Sequence, residues 1–324
     1  MDKKKRNALI IGAAVGAGLA SLAAASYSVT KTLMKVALDR EVPKGVEKGR
    51  NRLMGSGELA EILPVLEEAG KKLASLEHEQ VTIVAPDGVL LAGHYFKVPN
   101  PKRIIIAMHG WRSSWANDFG IISKFWQDND CNVLYCEQRG QGKSGGEYMG
   151  FGVLEQYDCL EWVKYIDSLN ENNLPIYLGG VSMGASTVLF ASGNELPKSV
   201  KGIVADCGFN SPHGIWKYVT ENNLKLPYAL YKALANNIYL SKTQVDIKSV
   251  SCADALKNCK VPVLFIHGTD DRFVPVWMTY ENYKACGSKK RLFVVPGADH
   301  GMSYLVDKDG YEREVEAFWQ ENDN

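Results

Sequence analysis

The sequence predicts an α/β protein with a mostly parallel central sheet. Six short apolar runs alternate with helix-compatible stretches: RIIIAMHG, NVLYCE, PIYLGGVS, KGIVADCGF, VPVLFIHG and RLFVVPG. This alternation is typical of parallel strands joined by crossover helices. The chain has 324 residues, of which 46% are hydrophobic and 23% charged. That composition can bury a large core and excludes disordered, collagen-like and coiled-coil classes.

The N-terminal segment, residues 1–30, is predicted to be a signal anchor or transmembrane helix. Residues 1–6 carry a net charge of +3, and no charged side chain occurs from Asn7 through Thr30. As a helix this run reaches about 30 Å, enough for a bilayer core. The basic cluster favours a single-pass protein of the cell membrane with the rest of the chain outside the cytoplasm. Signal cleavage after Ala25, which would release a secreted protein, and a merely buried helix are the alternatives.

The remaining chain divides into a connector and one large domain. Residues 31–80 have apolar side chains at helical spacing and are interpreted as a helical connector. Residues 81–324 form the predicted domain, which starts with a hairpin, VTIVA and VLLAGHYF around a Pro-Asp-Gly turn. Helix-like, aromatic-rich sequence at about 210–258 is interpreted as an inserted cap.

Charge and cysteine usage exclude several partners. Lys plus Arg and Asp plus Glu both number 37, so no basic field exists to hold nucleic acid. The seven cysteines are odd in number and lack paired CxxC spacing, which argues against a disulfide framework or a zinc site. Cys131, Cys136 and Cys207 lie in apolar runs and are expected to be buried. No metal or cofactor motif is found, since the glycines at 140, 142 and 145 belong to a turn.

The strongest chemical motif is Gly180-Val181-Ser182-Met183-Gly184. It follows a strand-like run and precedes a helix-compatible one, which is the context of a nucleophile elbow. The flanking glycines remove Cβ atoms that would collide in so sharp a turn. Ser182 is therefore the candidate nucleophile.

A serine nucleophile needs a base and an acid that orients the base. His300 follows the last predicted strand and has the best position among the six histidines. Asp270 and Asp271 follow the preceding strand, and Asp206 ends the run before that. The spacing leaves these three aspartates open as the acid.

The oxyanion that forms during acyl transfer needs fixed N–H donors. The backbone N–H of Met183, directly after the serine, is one candidate. The Trp111 N–H, in the loop after RIIIAMHG, is the other, with Gly110 allowing close approach.

The motifs from Val81 to Trp319 resemble the α/β-hydrolase superfamily, and within it the bacterial membrane-anchored proteins grouped with serine aminopeptidase (S33)-like and BEM46-like hydrolases. The resemblance lies in five motifs, in the family's order: His109-Gly110, Glu137-x-Arg139-Gly140-x-Gly142-x-Ser144, Gly180-x-Ser182-x-Gly184, His267-Gly268-x-x-Asp271-x-x-Val274-Pro275 and His300-Gly301-Met302-Ser303-Tyr304. It implies the α/β-hydrolase fold, with Ser182 as nucleophile, Asp271 as acid and His300 as base. Glu137 and Gln141 depart from the family's Asp and His in a loop that is structural there.

The expected function is hydrolysis of a carboxylic ester through an acyl-enzyme intermediate, without metal or cofactor. A serine peptidase or amidase is the alternative, and a non-catalytic membrane-tethered interaction protein is a third. An apolar pocket in the cap would favour a small-molecule or lipid-like ester, although core packing of the cap helices explains the same residues. The cap side chains in question are Trp216, Tyr218, Leu224, Leu226, Tyr228, Leu230, Tyr231 and Tyr239.

Overall fold

The structure, a computed structural model, describes residues 24–41 and 57–323. Its centre is an eight-stranded sheet in the order β1-β2-β4-β3-β5-β6-β7-β8. β2 runs antiparallel to both of its neighbours, β1 and β4, and all other neighbouring strands are parallel. The predicted mostly parallel sheet is thus confirmed. The strands are β1 (Glu79–Val84), β2 (Leu90–Phe96), β3 (Arg103–Met108), β4 (Cys131–Cys136), β5 (Ile176–Val181), β6 (Val200–Asp206), β7 (Val263–Gly268) and β8 (Lys290–Val295).

Helices join the strands and cover both faces of the sheet. A π-helix, Val219–Asn223, directly follows the α-helix at Pro212–Tyr218. The α-helices are α1 (residues 24–38), α2 (Gly57–Ser75), α3 (Trp115–Phe119), α4 (Ser123–Asp128), α5 (Glu155–Leu169), α6 (Met183–Ala191), α7 (Pro212–Tyr218), α8 (Tyr228–Thr243), α9 (Cys252–Lys257), α10 (Trp277–Ala285), α11 (Ser303–Val306) and α12 (Lys308–Asn322).

The central strands are mostly apolar because helices bury them from two sides; Arg103, Asn132 and His267 are the polar exceptions in β3, β4 and β7. Every residue of β3, β4 and β7 is buried. Two large apolar clusters fill the space on either side of the sheet. All seven cysteines are buried free thiols, so the expectation for Cys131, Cys136 and Cys207 is confirmed.

The sheet also fixes where a site can form. The carboxyl ends of parallel strands meet at one edge, and ligands of open α/β sheets bind outside that edge. The loops after β3, β5, β7 and β8 carry the motifs singled out in the sequence. The fold therefore brings these motifs together although they are far apart in the chain.

The N-terminal part of the chain contributes one helix to this body. The predicted anchor falls mostly on residues 1–23, which lie outside the described residues, and 24–30 form the start of α1. Met34, Val36 and Leu38, in the predicted connector, are buried in the main core. Among the helices of the described ranges, none is long and apolar enough to cross a membrane.

Candidate active site

Ser182 sits in a strained turn between β5 and α6. Its φ of 56° and ψ of −117° are unusual for a residue with a side chain. A Cβ at Gly180 would lie 2.3 Å from the carbonyl oxygen of Gly184. A Cβ at Gly184 would lie 1.8 Å from that of Met108. Both glycines are therefore required for the elbow.

His300 and Asp271 complete a hydrogen-bonded chain with Ser182. His300 Nε2 lies 2.9 Å from Ser182 Oγ, and His300 Nδ1 lies 2.7 Å from Asp271 Oδ2. All three side chains are buried. Asp271 follows β7 and His300 follows β8, so two adjacent strand ends bring the predicted acid and the predicted base to Ser182. This is the geometry of a catalytic triad.

Four donors surround the Asp271 carboxylate. Its Oδ1 accepts hydrogen bonds from the backbone N–H groups of Phe273 and Val274, at 2.9 and 2.8 Å. Its Oδ2 faces His267 Nε2 at 3.1 Å as well as His300. Burial alone would raise the pKa of Asp271, but the nearby His300 charge and the hydrogen bond from His267 lower it to about 2. The carboxylate is thus ionised at neutral pH.

His267 orients Asp271, a role that the sequence did not reveal. Its Nε2 lies 2.7 Å from the Val274 carbonyl oxygen, which can only accept, so Nε2 carries the proton. Its Nδ1 lies 2.7 Å from Thr279 Oγ1 on α10. The sequence indicated only a turn residue at the end of a strand. The position of a His four residues before Asp271 is the one sequence signal for this contact, and the prediction made no use of it.

The two competing aspartates are placed elsewhere. Asp270 is exposed and accepts a hydrogen bond from Thr269 Oγ1 at 2.7 Å. Asp206 is buried and accepts one from Ser303 Oγ at 3.2 Å. Burial raises the pKa of Asp206 to about 6. The structure therefore joins Asp271, and neither of the others, to His300.

Burial works against the charged form of His300, yet the adjacent Asp271 carboxylate raises the His300 pKa well above its ordinary value. Cys207, Asp271 and His300 each place one atom that could bind a metal ion within 4.8 Å of the others: the thiol sulfur, a carboxylate oxygen and a ring nitrogen. Burial raises the pKa of Cys207 to about 11, so its thiol stays protonated. Both ring nitrogens of His300 already have hydrogen-bond partners, Asp271 at Nδ1 and Ser182 at Nε2. Hydrogen bonding, rather than metal binding, therefore accounts for the closeness of these side chains.

Trp111 and Met183, whose amides are the predicted oxyanion donors, line the same pocket as Ser182. Neither the Trp111 nor the Met183 amide donates to a protein acceptor in the part of the chain that the structure describes. Met183 is the first residue of α6, where amides lack partners within the helix. The Gly110 N–H, by contrast, is held by Asp118 Oδ2 at 2.6 Å. Gln141 Oε1 accepts from the Arg112 N–H at 2.6 Å, which fixes the other end of this loop.

An apolar pocket opens on one side of Ser182. It has an empty volume of about 880 Å³, counting its mouth. No charged side chain lines it among the described residues. The sequence expectation for the cap holds for half of its eight side chains: Trp216, Leu224, Tyr228 and Tyr231 line the pocket. Tyr239 instead packs in the core with its hydroxyl on the Gly150 carbonyl, and Leu230 is exposed.

A second pocket includes His300 in its lining and, unlike the first, has charged side chains beside apolar ones; we call it the polar pocket. It has an empty volume of about 1350 Å³ and is shared with the loop after β3. Glu67 on α2, Ser113 and Asp118 contribute its polar lining. Ser182 and Trp111 belong to both pockets, so the candidate nucleophile stands at their junction.

Comparison with known proteins agrees with this geometry. Residues 99–251 match the model of the family described as serine aminopeptidase, S33. The chain is 26% identical over 242 residues to the uncharacterized protein YqkD of Bacillus subtilis, covering 74% of this chain and 79% of that protein. It is 22% identical over 256 residues to the protein bem46 of Schizosaccharomyces pombe, covering 77% and 79%.

Solved structures show the same fold. The Pyrococcus furiosus esterase Pf2001 superposes with a TM-score of 0.63 at 25% identity, covering 78% of this chain and 96% of the esterase. An acylaminoacyl peptidase of Pyrococcus horikoshii, at 17% identity, has a TM-score of 0.56 over 78% of this chain and 43% of the peptidase. With the sheet order, these matches show the α/β-hydrolase fold in an enzyme that is similar to the S33 serine aminopeptidases and to the protein bem46.

Proposed function

We propose that this hydrolase cleaves carboxylic esters of apolar acids through an acyl-enzyme intermediate on Ser182. The observation that carries the proposal is the hydrogen-bonded chain Ser182–His300–Asp271 at the junction of the two pockets. A serine hydroxyl becomes a good nucleophile only beside such a base.

The residues account for each proton in the reaction. His300 Nε2 takes the Ser182 proton as Oγ attacks the ester carbonyl, and the Trp111 and Met183 amides receive the oxyanion. His300 then gives that proton to the departing alcohol, which leaves the acyl group on Ser182. A water molecule then attacks the acyl-enzyme while His300 Nε2 takes one of its protons. His300 returns that proton to Ser182 Oγ as the acyl–Oγ bond breaks and the acid is released. Asp271 holds the imidazole in the tautomer that both halves need.

The two pockets divide the substrate between them. The polar pocket contains His300, which protonates the leaving group, so it suits the alcohol side of the ester. The apolar pocket then receives the acyl chain. A free amine on the acyl group would be buried there without a carboxylate partner, which is costly. This argument favours an uncharged, lipid-like acyl group over an aminoacyl group.

Cleavage of amides or peptides is the second candidate, supported by the S33 family match. A panel of p-nitrophenyl esters and aminoacyl p-nitroanilides separates the two. We expect ester turnover that is lost in Ser182→Ala and kept in the exposed control Ser168→Ala. Faster turnover of the anilides would favour the peptidase. A folded wild type inactive on both would favour a binding protein.

We also propose that the segment before α1 anchors the protein in the cell membrane, with the hydrolase domain outside the cytoplasm. The uncharged run behind a basic cluster supports this placement. Membrane fractionation, followed by protease digestion of intact spheroplasts, tests it. Recovery in the soluble cytosolic fraction would refute the placement, and release into the medium would favour signal cleavage.

A further inference from the structure

We propose that α1 is part of the substrate site: it forms the wall of the apolar pocket that selects the acyl chain, and its C-terminal end positions the oxyanion loop, residues 110–112. The inference rests on the proposed ester hydrolysis and names its substrate class, esters of long unbranched acyl chains. It gives an N-terminal helix outside the sheet a direct part in specificity.

One face of α1 lines the pocket. Thr30, Leu33, Met34 and Ala37 all contribute to the lining. Their spacing of three, four and seven residues places them on a single helix face. Cap residues, including Tyr228 on α8, close the opposite side. α1 and the cap thus share the apolar lining, with Ser182 among the lining residues. We infer from this a slot between α1 and the cap, which suits an extended acyl chain better than a compact one.

The end of α1 is bonded to the loop that carries the predicted oxyanion donor. Trp111 Nε1 donates to the Ala37 carbonyl oxygen at 2.8 Å. Arg112 Nε donates to the Val36 carbonyl oxygen at 2.7 Å, and its Nη2 donates to that of Asp39. These carbonyls lie at a helix C-terminus, where they lack partners in the helix and attract a cation.

Arg112 has a reason to need this support. Its φ is 52°, in the left-handed region that is unfavourable for a residue with a side chain. Two sets of hydrogen bonds hold this backbone conformation. The Arg112 N–H donates to Gln141 Oε1, and the guanidinium donates to carbonyl oxygens at the end of α1. Since the neighbouring Trp111 N–H is the predicted oxyanion donor, α1 is connected to the reaction centre through two adjacent side chains.

α1 is itself attached to the body and to the cap. Arg40, just after the helix, donates to the carbonyl oxygens of Ser144 and Gly142, both at 2.6 Å. Asp39 forms a 2.9 Å ion pair with Lys242 on α8. The C-terminal end of α1 is thus bonded to three parts of the fold: the oxyanion loop, the loop at residues 142–144 and α8. A wall that limits the length of the bound chain needs such fixed support.

The test compares acyl-chain profiles of two tryptophan variants on adjacent residues of the full chain. Leu33 is half-buried in the pocket wall, so Leu33→Trp shortens the slot, whereas Thr32 is exposed and Thr32→Trp is the matched control. For p-nitrophenyl esters from acetate to palmitate, we expect Leu33→Trp to lower kcat/KM by at least ten-fold for chains above eight carbons. The loss on acetate and butyrate should be at least five-fold smaller than the loss on the long chains, and Thr32→Trp should stay within three-fold of wild type on every ester.

An equal loss on short and long esters, or an unchanged profile in Leu33→Trp, would overturn the inference while leaving ester hydrolysis intact. Wild-type inactivity on every ester would instead remove the proposed function itself.

The positioning role of Arg112 has a separate readout. Arg112→Gln should lower kcat by about 10- to 100-fold on short and long esters alike, with KM nearly unchanged, because a displaced donor affects the transition state more than binding. Arg112→Lys should restore part of kcat. Thermal melting identifies a variant that merely unfolds. A folded Arg112→Gln protein with kcat within two-fold of wild type would refute this role.

Discussion

Replacing Asp271 by Asn changes the acid with little change of volume. The Asn Oδ1 can still accept from the backbone N–H groups of Phe273 and Val274. Its amide NH₂, however, would stand where Oδ2 now receives hydrogen bonds from His267 and His300. The N–H groups of His267 and His300 would then both face the N–H groups of the new amide, which cannot accept them. The imidazole of His300 must therefore turn or change tautomer.

The loss of activity follows from that tautomer. If His300 Nδ1 must accept from the new amide, the proton moves to Nε2, which can no longer accept the Ser182 proton. In Ser-His-Asp proteases the equivalent change lowers kcat by about 10⁴-fold, or about 5.5 kcal/mol. We expect a loss of that order on any ester that the wild type cleaves.

The stability effect has a defined pH window. The folded pKa of Asp271 is lowered to about 2 from an ordinary 3.8, which corresponds to about 2 kcal/mol. For a carboxylate whose pKa is lowered, this stabilisation is present above the unfolded pKa and is lost as pH falls through the folded one. Asp271→Asn should therefore melt earlier at pH 7, and the difference should shrink below about pH 4.

Ester turnover and thermal melting, measured together, test the reasoning. Asp206→Asn and Asp270→Asn are the matched controls, and both should keep kcat within a few-fold of wild type. Because burial raises the pKa of Asp206 to about 6, its charge is unfavourable above that pH, and its Asn variant should melt no earlier than wild type at pH 8. Asp271→Asn with more than a tenth of wild-type kcat, or an equal loss in Asp206→Asn, would refute the assignment.

Three further outcomes follow from the geometry. Since Asp271 raises the pKa of His300, kcat/KM for a neutral ester should rise with pH through a midpoint above 6.5; a midpoint below 6 would contradict the pairing. Gly184→Ala places a Cβ 1.8 Å from a backbone oxygen and should lower the melting temperature far more than Gly179→Ala in β5, the strand that leads into the same turn, where the added Cβ meets no atom closer than 3.6 Å; equal melting would argue against the elbow. Each CH₂ added to the acyl chain should raise kcat/KM about four-fold, from about 0.8 kcal/mol per buried CH₂, until the apolar pocket is full; a flat profile from acetate to octanoate would remove the acyl-chain argument.

The sheet could be predicted because its information is local. Each strand reads as a short apolar run, and buried parallel strands need no alternation. The elbow, His300 and the aspartate pair at 270–271 follow strand ends, and the carboxyl ends of parallel strands share one edge. Their proximity therefore followed from the order of the runs.

Other parts of the site depend on contacts that no local pattern contains. The uncharged run that ends at Thr30 is compatible with a bilayer, and the apolar spacing of the predicted connector is compatible with simple packing. Neither pattern indicated that Thr30 or Leu33 lies at the substrate site. Likewise, only the folded loop shows that His267 reaches the Asp271 carboxylate. In the cap, apolar spacing did not distinguish Tyr228, in the pocket wall, from Tyr239, in the core.

The most direct measurement of the central claim is covalent labelling of the full-length protein with a fluorophosphonate, read by peptide mass spectrometry. If His300 activates Ser182, the probe adds to Oγ with loss of fluoride, and the modified peptide contains residue 182. We expect complete labelling of wild type, none in Ser182→Ala and strongly slowed labelling in Asp271→Asn. A folded wild type that stays unmodified, or is modified at another serine, would contradict the account.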